Sequence, residues 1–363
     1  MNKKTALLAI TLTTLFTFAY ASTQTVSDTD DIDVKANIQM PLNTKVETIL
    51  TDIKKQLQAD EIIAVVMEST SGKVLSITSS NRFDPNSAHP ENKAIEYSHE
   101  PGSVIKPIVF SLLLEKGLVN PNEMIDCHDG NYTLGVKTIL DEQKFKSLSA
   151  EDVIVYSSNI GMVQLAQRMS GKEFVEGLNK FGFSHFSGID LHNERNGSIP
   201  TSEQLDNYLY KAIVSYGYGV SSNPMQMVKA YNAFNNNGRM ITPKINQSNK
   251  IESTQVISPD TAKQMKQILI KVVNEGTGKV AQTNGLEIGG KTGSVHIFKD
   301  GKSTDGGYNT SFVGFVNDDK HAYTIGITVI DPQASYFPST TAVPVFKAIV
   351  DMMVGEKYLE PSR

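Results

Sequence analysis

The sequence predicts an α+β fold: an antiparallel sheet of about five strands flanked by helices, together with an all-helical subdomain. Two observations support this prediction. Strand-like runs lie near both ends of the chain, and the long segment between them has helical spacing. The chain has 363 residues, of which 39% are hydrophobic, so it is long enough and apolar enough to bury a substantial core.

The strands follow from short runs of β-branched and aromatic residues. Ile62–Met67 and Val74–Ile77 flank the turn-forming segment Ser69–Gly72 and predict a hairpin. Three further strands are predicted near the C-terminus, with a turn at residues 317–319 between the last two: Ser294–Phe298, Ser311–Val316 and Tyr323–Ile330.

The helices follow from apolar residues spaced three and four apart. The last of them, residues 341–354, places Val345, Ile349 and Met353 on one face. Ser149 and Asp152 resemble a capping box before another helix. Further helices are predicted at Val104–Lys116 ending at Gly117, Ile160–Met169 stopping at Gly171, Met225–Asn235 and Thr261–Val273.

Composition excludes several classes of protein. There are 34 basic and 39 acidic side chains and a formal net charge of −5, which argues against a nucleic-acid binder, because such a protein needs a basic surface. The single cysteine, Cys127, rules out an internal disulfide framework and is predicted to be a small buried filler. The seven histidines are scattered without a zinc-binding pattern, so a zinc site has no support.

The N-terminus predicts export. Lys3 and Lys4 precede an apolar run that ends in Ala19-Tyr20-Ala21, the order of a signal peptide. We therefore interpret residues 1–21 as a cleaved signal, or alternatively as an uncleaved membrane anchor, with the body of the protein in the bacterial periplasm. Residues 22–57 are interpreted as a polar linker, and residues 58–358 as one folded domain.

Ser103-Val104-Ile105-Lys106 is the first of three motifs that can carry chemistry. Residues three apart share one face of a helix, so the lysine can take the proton of the serine hydroxyl if its amine is neutral. Burial and the helix macrodipole both lower a lysine pKa. By itself, the motif also fits an ordinary helix start.

The second motif is Ser157-Ser158-Asn159, a polar turn that can relay a proton and fix a substrate amide. The third is Lys291-Thr292-Gly293-Ser294, whose ammonium and hydroxyl groups can hold a carboxylate, while the glycine can let a substrate backbone approach the strand. Taken singly, these motifs also fit an interhelical turn and a loop-to-strand junction.

A competing interpretation arises at Gly285–Thr292, which matches the phosphate-loop pattern G-x-x-x-x-G-K-T. A phosphate loop follows a strand and opens a helix. Here the following residues alternate like a strand and the preceding ones are polar and rich in glycine. We therefore do not expect nucleotide binding.

The three motifs in this order are those of penicillin-binding proteins and class A β-lactamases, and the chain resembles the transpeptidase domain of a class B penicillin-binding protein over about residues 58–357. The resemblance extends beyond the motifs. It includes Glu100–Lys106 with Pro107, Phe181-Gly182-Phe183, Gly188–Leu191, Tyr216–Gly219 with Pro224, Glu275–Gly278 and Ser311–Phe315.

The resemblance implies serine D,D-transpeptidation of peptidoglycan stem peptides, with β-lactams as covalent inhibitors and with no metal or organic cofactor. Ser103 would be the nucleophile, Lys106 the general base and Ser157 the proton shuttle, and the N–H groups of Ser103 and Ser294 would form the oxyanion hole. It also implies substrate-binding roles for Asn159 on the amide and for Lys291, Thr292 and Ser294, next to Gly293, on the carboxylate.

The resemblance leaves the fate of the acyl-enzyme and the partners of the protein open. The same acyl-enzyme could be hydrolysed, as in a D,D-carboxypeptidase or a β-lactamase, or the chain could be a non-catalytic β-lactam or muropeptide sensor. Other cell-wall synthesis proteins are candidate partners, with a role in cell division among the options. Val295-His296 departs from the family pattern, as does Ser294 where threonine is usual, and only about 36 residues stand where class B members carry a large N-terminal domain.

Overall fold

A five-stranded antiparallel sheet lies at the centre of the fold, and its strands lie side by side in the order Val74–Ser79, Glu61–Glu68, Ala322–Ile330, Lys302–Asn317 and Glu287–Lys299. The structure, a computed structural model, describes residues 37–81, 92–247, 250–299 and 302–362. Their strands are β1 Glu61–Glu68, β2 Val74–Ser79, β3 Met124–Asp126, β4 Asn131–Leu134, β5 Lys137–Leu140, β6 Ser147–Ser149, β7 Arg239–Ile241, β8 Ser253–Gln255, β9 Glu287–Lys299, β10 Lys302–Asn317 and β11 Ala322–Ile330.

Helices cover the sheet and build the lobe beside it. Those in the described residues are α1 Met40–Leu57, α2 Lys93–Glu96, α3 Lys106–Glu115, α4 Ala150–Val155, α5 Asn159–Ala166, α6 Gly171–Lys180, α7 Ser202–Asp206, α8 Tyr208–Ser215, α9 Pro224–Asn232, α10 Pro259–Asn274 and α11 Ala342–Gly355. The predicted α+β fold with a separate helical part is confirmed.

The sheet has two apolar faces because side chains alternate along each strand. In β1, Ile62, Ala64 and Val66 belong to the cluster formed with α1 and α11, whereas the intervening residues pack towards α2 and α9. The predicted inward positions of the last helix, Val345, Ile349 and Met353, are all buried in the first cluster.

The predicted hairpin and the strands at both ends of the chain are confirmed, but β9 and β10 are longer than their sequence patterns indicate. β9 begins at Glu287, seven residues before the predicted Ser294, and pairs with β10 from Asn317 onwards. Pairing with a neighbour extends the strand over glycine and lysine, which local propensity disfavours.

Residues 40–57 correct the predicted linker. This segment is α1, whose Leu42, Val46 and Leu50 are fully buried against the sheet and α11. The polar composition of the other helix faces concealed an amphipathic helix that belongs to the domain. The predicted start at residue 58 is therefore wrong. At the other end, Leu359 is also buried.

The structure corrects the predicted helix boundary at Gly171. The helix predicted to run from Ile160 to Met169 is α5 and ends at Ala166, and Gly171 is the first residue of the next helix rather than a stop. Ser170 and Glu173 form a reciprocal capping box that starts this next helix.

The predicted signal or anchor at residues 1–21 lies outside the described residues. Among the residues that are described, no helix is long and apolar enough to cross a bilayer.

Candidate active site

The first motif lies where a short 3₁₀ turn, Gly102–Ile105, runs directly into α3. The backbone N–H of Lys106 donates to the carbonyl of Ser103, which places the two residues one turn apart, as the spacing predicts. Pro107 lies in the first turn of α3, where a missing N–H leaves no hydrogen bond unmade. Ser103 faces the cleft described below, and the rest of the motif is buried.

Two glycines allow this turn to pack on strand β9. Gly102 has φ +59°, and a Cβ there would lie 2.8 Å from the carbonyl oxygen of Ser294. A Cβ on Gly293 would lie 2.9 Å from a methyl group of Val104. The sequence suggests that Gly293 makes room for a substrate, and in the structure it also makes room for the turn that carries the serine.

Lys106 is fully buried and its ammonium group reaches the second motif. Nζ donates to the carbonyl oxygen of Ser157 at 2.6 Å, to its Oγ at 3.3 Å and to Oδ1 of Asn159 at 2.7 Å. All three acceptors are neutral, and no carboxylate pairs directly with this lysine among the described residues. Its ammonium group makes no hydrogen bond to Ser103.

This environment favours the neutral amine. Burial lowers the pKa of Lys106 to about 8, against the opposing charges of Asp141 and Glu142. The predicted lowering of the Lys106 pKa by burial is confirmed. A lysine with this pKa is partly neutral near physiological pH and can accept a proton.

The second motif forms the turn between α4 and α5. Ser157 has φ +62°, in the left-handed region that a non-glycine residue rarely occupies. Ser158 caps α5 by accepting from the N–H of Gly161. Both ends of the Asn159 amide are engaged, because Oδ1 accepts from Lys106 and Nδ2 donates to the carbonyl of Leu140 at 2.9 Å.

The third motif lies on β9, an edge strand of the sheet. Thr292 and Ser294 line the cleft, whereas Lys291 is fully buried behind them and donates to the carbonyl of Thr292 at 3.1 Å. Burial, and then the charge of Lys106, hold the pKa of Lys291 well below its ordinary value. The side chains of Lys106 and Lys291 therefore lie in one buried region beneath the hydroxyls, where the charge of one affects the pKa of the other.

A single cleft of about 760 Å³ brings the three segments together. Its walls contain six of the predicted site residues: Ser103, Ser157, Asn159, Thr292, Gly293 and Ser294. The remaining two, Lys106 and Lys291, lie beneath these walls. The arrangement presents a serine hydroxyl, a lysine of lowered pKa and several hydroxyl donors, which suits acyl transfer.

Sequence reasoning missed several residues of the cleft. Thr277 shares a 2.7 Å hydroxyl hydrogen bond with Thr292. His296 and Tyr308, on adjacent strands, are joined by a 3.1 Å hydrogen bond and also line the cleft. Asp141 and Tyr336 approach from loops, and no local pattern distinguishes such residues from other loop residues.

Other predicted exclusions can be compared with the structure. Residues 287–292 of the phosphate-loop match lie in β9 and open no helix, so the phosphate cradle is not built. Within the described ranges, no group of three or more His, Cys, Asp or Glu residues could hold a metal ion. Cys127 is fully buried in the helical lobe, and burial raises the pKa of its thiol.

Comparison with known proteins agrees with this geometry. Residues 62–351 match the family model described as the penicillin binding protein transpeptidase domain. The chain belongs to this family. Membership in the transpeptidase family confirms the resemblance that the three motifs indicate, and the predicted fold with it.

Two solved structures of the family illustrate the likeness. The transpeptidase domain of Burkholderia pseudomallei penicillin-binding protein 3 is 26% identical, with a TM-score of 0.83 over 92% of this chain and 99% of that one. Penicillin-binding protein 3 of Mycobacterium tuberculosis in complex with aztreonam is also 26% identical, with a TM-score of 0.82 over 91% of this chain and 80% of that one.

Stage V sporulation protein D of Bacillus subtilis, a curated relative, is 29% identical over 92% of this chain and 55% of its own length. Probable peptidoglycan D,D-transpeptidase PenA of Neisseria meningitidis is 25% identical over 90% of this chain and 58% of its own length. The chain thus spans a little more than half the length of these curated relatives.

Proposed function

We propose that this chain is a serine D,D-transpeptidase that cross-links peptidoglycan stem peptides. In the first step, Ser103 Oγ attacks the carbonyl carbon between the two D-Ala residues of the donor, and the C–N bond breaks as the Ser103 ester forms. The terminal D-Ala leaves as an amine with the proton that the serine has lost. In the second step, an amine of a neighbouring stem attacks the ester, and the serine regains a proton.

The environment of Lys106 carries this proposal. A lysine can act as a base only when its amine is uncharged, and burial lowers the pKa of this one to about 8. Its contact with Ser157 Oγ at 3.3 Å offers a route by which the proton reaches the leaving amine. The lysine's own contact with the Ser103 hydroxyl would tighten only with substrate bound, as is common in catalytic sites.

The other motif residues bind and polarise the substrate in this proposal. Thr292 and Ser294 present hydroxyls to the cleft, where they can receive the terminal carboxylate of the donor. Lys291 lies buried behind them, and a bound carboxylate would favour its charged form. The backbone N–H groups of Ser103 and Ser294 serve as the oxyanion hole, and the removal of one such donor costs about 10²–10³-fold in rate in related chemistry. Asn159 holds Lys106 and can also accept from a substrate amide.

The proposed activity is consistent with inhibition by β-lactams and with a location of the protein outside the cytoplasm. A β-lactam presents a strained amide to Ser103 and leaves a slowly hydrolysed ester. Penicillin-binding protein 3 of Mycobacterium tuberculosis has been solved in complexes with two β-lactams, aztreonam and ampicillin. Stem peptides lie outside the cytoplasm, which agrees with residues 1–21 acting as a signal or anchor and the body lying in the periplasm. Cell-wall synthesis proteins are proposed partners.

The test combines covalent labelling with product analysis. Fluorescent penicillin should label the chain, mass spectrometry should locate the adduct on Ser103, and Ser103→Ala should abolish labelling. Ser111→Ala is the matched control and should keep it, because Ser111 is buried in α3 with its hydroxyl on the Ile108 carbonyl. Labelling that survives in Ser103→Ala would contradict the proposal.

Incubation with a stem pentapeptide and a D-amino acid then separates the fates of the ester. Exchange of the terminal residue is the expected result. Hydrolysis without exchange would instead identify a D,D-carboxypeptidase, and rapid turnover of penicillin a β-lactamase. Penicillin labelling with neither product would identify a sensor.

A further inference from the structure

Asp141 is an acidic side chain in the cleft wall to which neither the motifs nor the family match assigns a role. Its carboxylate accepts three hydrogen bonds from the second motif and the residue after it. Oδ2 accepts from Ser158 Oγ at 2.5 Å, while Oδ1 accepts from the N–H groups of Asn159 at 2.5 Å and Ile160 at 3.1 Å. One side chain from a separate loop thus binds three consecutive residues.

The turn that Asp141 binds requires support from outside. Ser157 has a left-handed backbone, which an L-residue adopts only when its surroundings enforce it. The first N–H groups of α5 have no partners within the helix, and a negative charge at a helix N-terminus is favourable. Asp141 supplies partners for two of these N–H groups, and Ser158 supplies one for Gly161.

The loop that carries Asp141 is itself fixed. The N–H of Asp141 donates to the Gly130 carbonyl at 3.2 Å, and Leu140 pairs with Asn131 in the β4–β5 hairpin. The Leu140 carbonyl receives Nδ2 of Asn159, which leaves Oδ1 of the same amide to accept from Lys106. Residues 140 and 141 therefore fix the backbone and the side chain of Asn159 together.

We propose that Asp141 is a positioning residue: its carboxylate holds the Ser157–Asn159 turn in the geometry that places Ser157 and Asn159 on the Lys106 amine. The inference rests on the proposed acyl-enzyme function. Asp141 acts through these residues and is not itself in contact with the nucleophile.

The charge of Asp141 also acts on Lys106. Burial disfavours the cation of Lys106, and Asp141 and Glu142 favour it. Lys291 is the other titratable group beside it, and the charge of Lys106 lowers the pKa of Lys291. Removal of the Asp141 charge alone should lower the pKa of Lys106 further. The acid limb of the acylation rate should therefore move to lower pH, a change that the loss of a purely structural brace would not produce.

The experiment measures the second-order rate constant of acylation by fluorescent penicillin from pH 6 to pH 9, with thermal melting of each full-length variant. Asp141→Ala removes the brace and the charge, and its rate should fall about 10²-fold, the effect of a small misplacement of catalytic groups. Asp141→Asn keeps the shape and should lower the high-pH plateau about tenfold, because charge-assisted hydrogen bonds are about twice as strong as neutral ones. Its acid limb should also shift to lower pH.

Asp318→Ala is the matched control. Asp318 also accepts from three backbone N–H groups, those of Lys320, His321 and Glu360, but it lies in the turn after β10 and does not line the cleft. This variant should melt at a lower temperature and react within about twofold of wild type, as expected for a substitution away from the chemistry.

The outcomes separate the two proposals. Wild-type protein that is not labelled would overturn the acyl-enzyme and this inference with it. Labelled wild type with both Asp141 variants within twofold of it would overturn only the inference, as would an acid limb that stays at the wild-type pH in Asp141→Asn. If Asp141→Ala does not fold, the isosteric Asp141→Asn decides the result alone.

Discussion

Lys106 in the cleft and Lys271 on α10 are the same side chain in opposite surroundings. The ammonium of Lys106 is fully buried and meets only neutral oxygens, those of Ser157 and Asn159. That of Lys271 lies between the carboxylates of Glu151 at 2.6 Å and Asp152 at 2.8 Å.

The difference shows that the partners of a lysine determine whether it can act as a base or remains a structural cation. Burial lowers the pKa of Lys106 to about 8. Burial also disfavours the charged form of Lys271, but the hydrogen bonds that its ammonium group donates to Glu151 and Asp152 outweigh that effect and raise its pKa. Both lysines contact segments next to the catalytic turn, since Glu151 and Asp152 lie on α4, yet only one can release its proton near neutral pH.

Arginine substitution gives the largest expected contrast. Arginine stays protonated at any accessible pH, so Lys106→Arg should lower the acylation rate by about 10²–10⁴-fold, the usual contribution of a general base. Lys271→Arg should keep both ion pairs and the wild-type rate. Stopped-flow acylation by a chromogenic β-lactam measures both. An active Lys106→Arg enzyme would mean that another group removes the serine proton.

The change of the acylation rate with pH should be smaller than the effect of Lys106→Arg, but it reports directly on the protonation of Lys106. Only the neutral amine is a base, so the rate should increase with pH through about 8, the pKa of Lys106. Below that value it should fall about tenfold per pH unit, as the neutral fraction does. Lys271→Arg is the control and should give the same profile. A flat profile between pH 6 and 8 would contradict the assignment of Lys106 as the base.

The smallest effect is expected from Lys271→Met. It leaves two partly buried carboxylates without their cation, and we expect the free energy of unfolding to fall by about 1–2 kcal/mol. The acylation rate should stay within about twofold of wild type. Urea unfolding of the variant and wild type measures the first quantity. If the rate fell while stability held, the contact between α10 and α4 would have to contribute to cleft geometry.

The sheet was largely predictable because its strands carry their own signal. The continuous apolar run at residues 62–67 fits a strand that is buried on both faces, and apolar residues alternate along most of 323–330. The extension of β9 was not predictable, since Glu287–Gly290 become strand only through pairing with β10. Helix α1 was missed for a different reason: three buried positions in 18 residues leave a sequence that is polar on average.

For the candidate site, the motifs locate the residues but not their arrangement. Spacing places Ser103 and Lys106 on one turn, whereas the contacts between Lys106 and Asn159 join residues 53 apart in sequence. The packing of Gly293 against Val104 was not predictable, because Val104 lies on a distant segment of the sequence. Asp141 lay outside the motifs altogether, in a loop whose importance arises from what it meets after folding.

Helix α1 has a practical consequence for anyone who shortens this protein. The family match begins at residue 62, beyond the end of that helix. A recombinant version that began there would lack α1 and would expose the apolar surface of the sheet and α11 that this helix covers. We expect such a protein to be poorly soluble even though its catalytic residues are all present. The limits of a shared motif set and the limits of an independently folding product are different boundaries, and here they are separated by at least the 18 residues of α1.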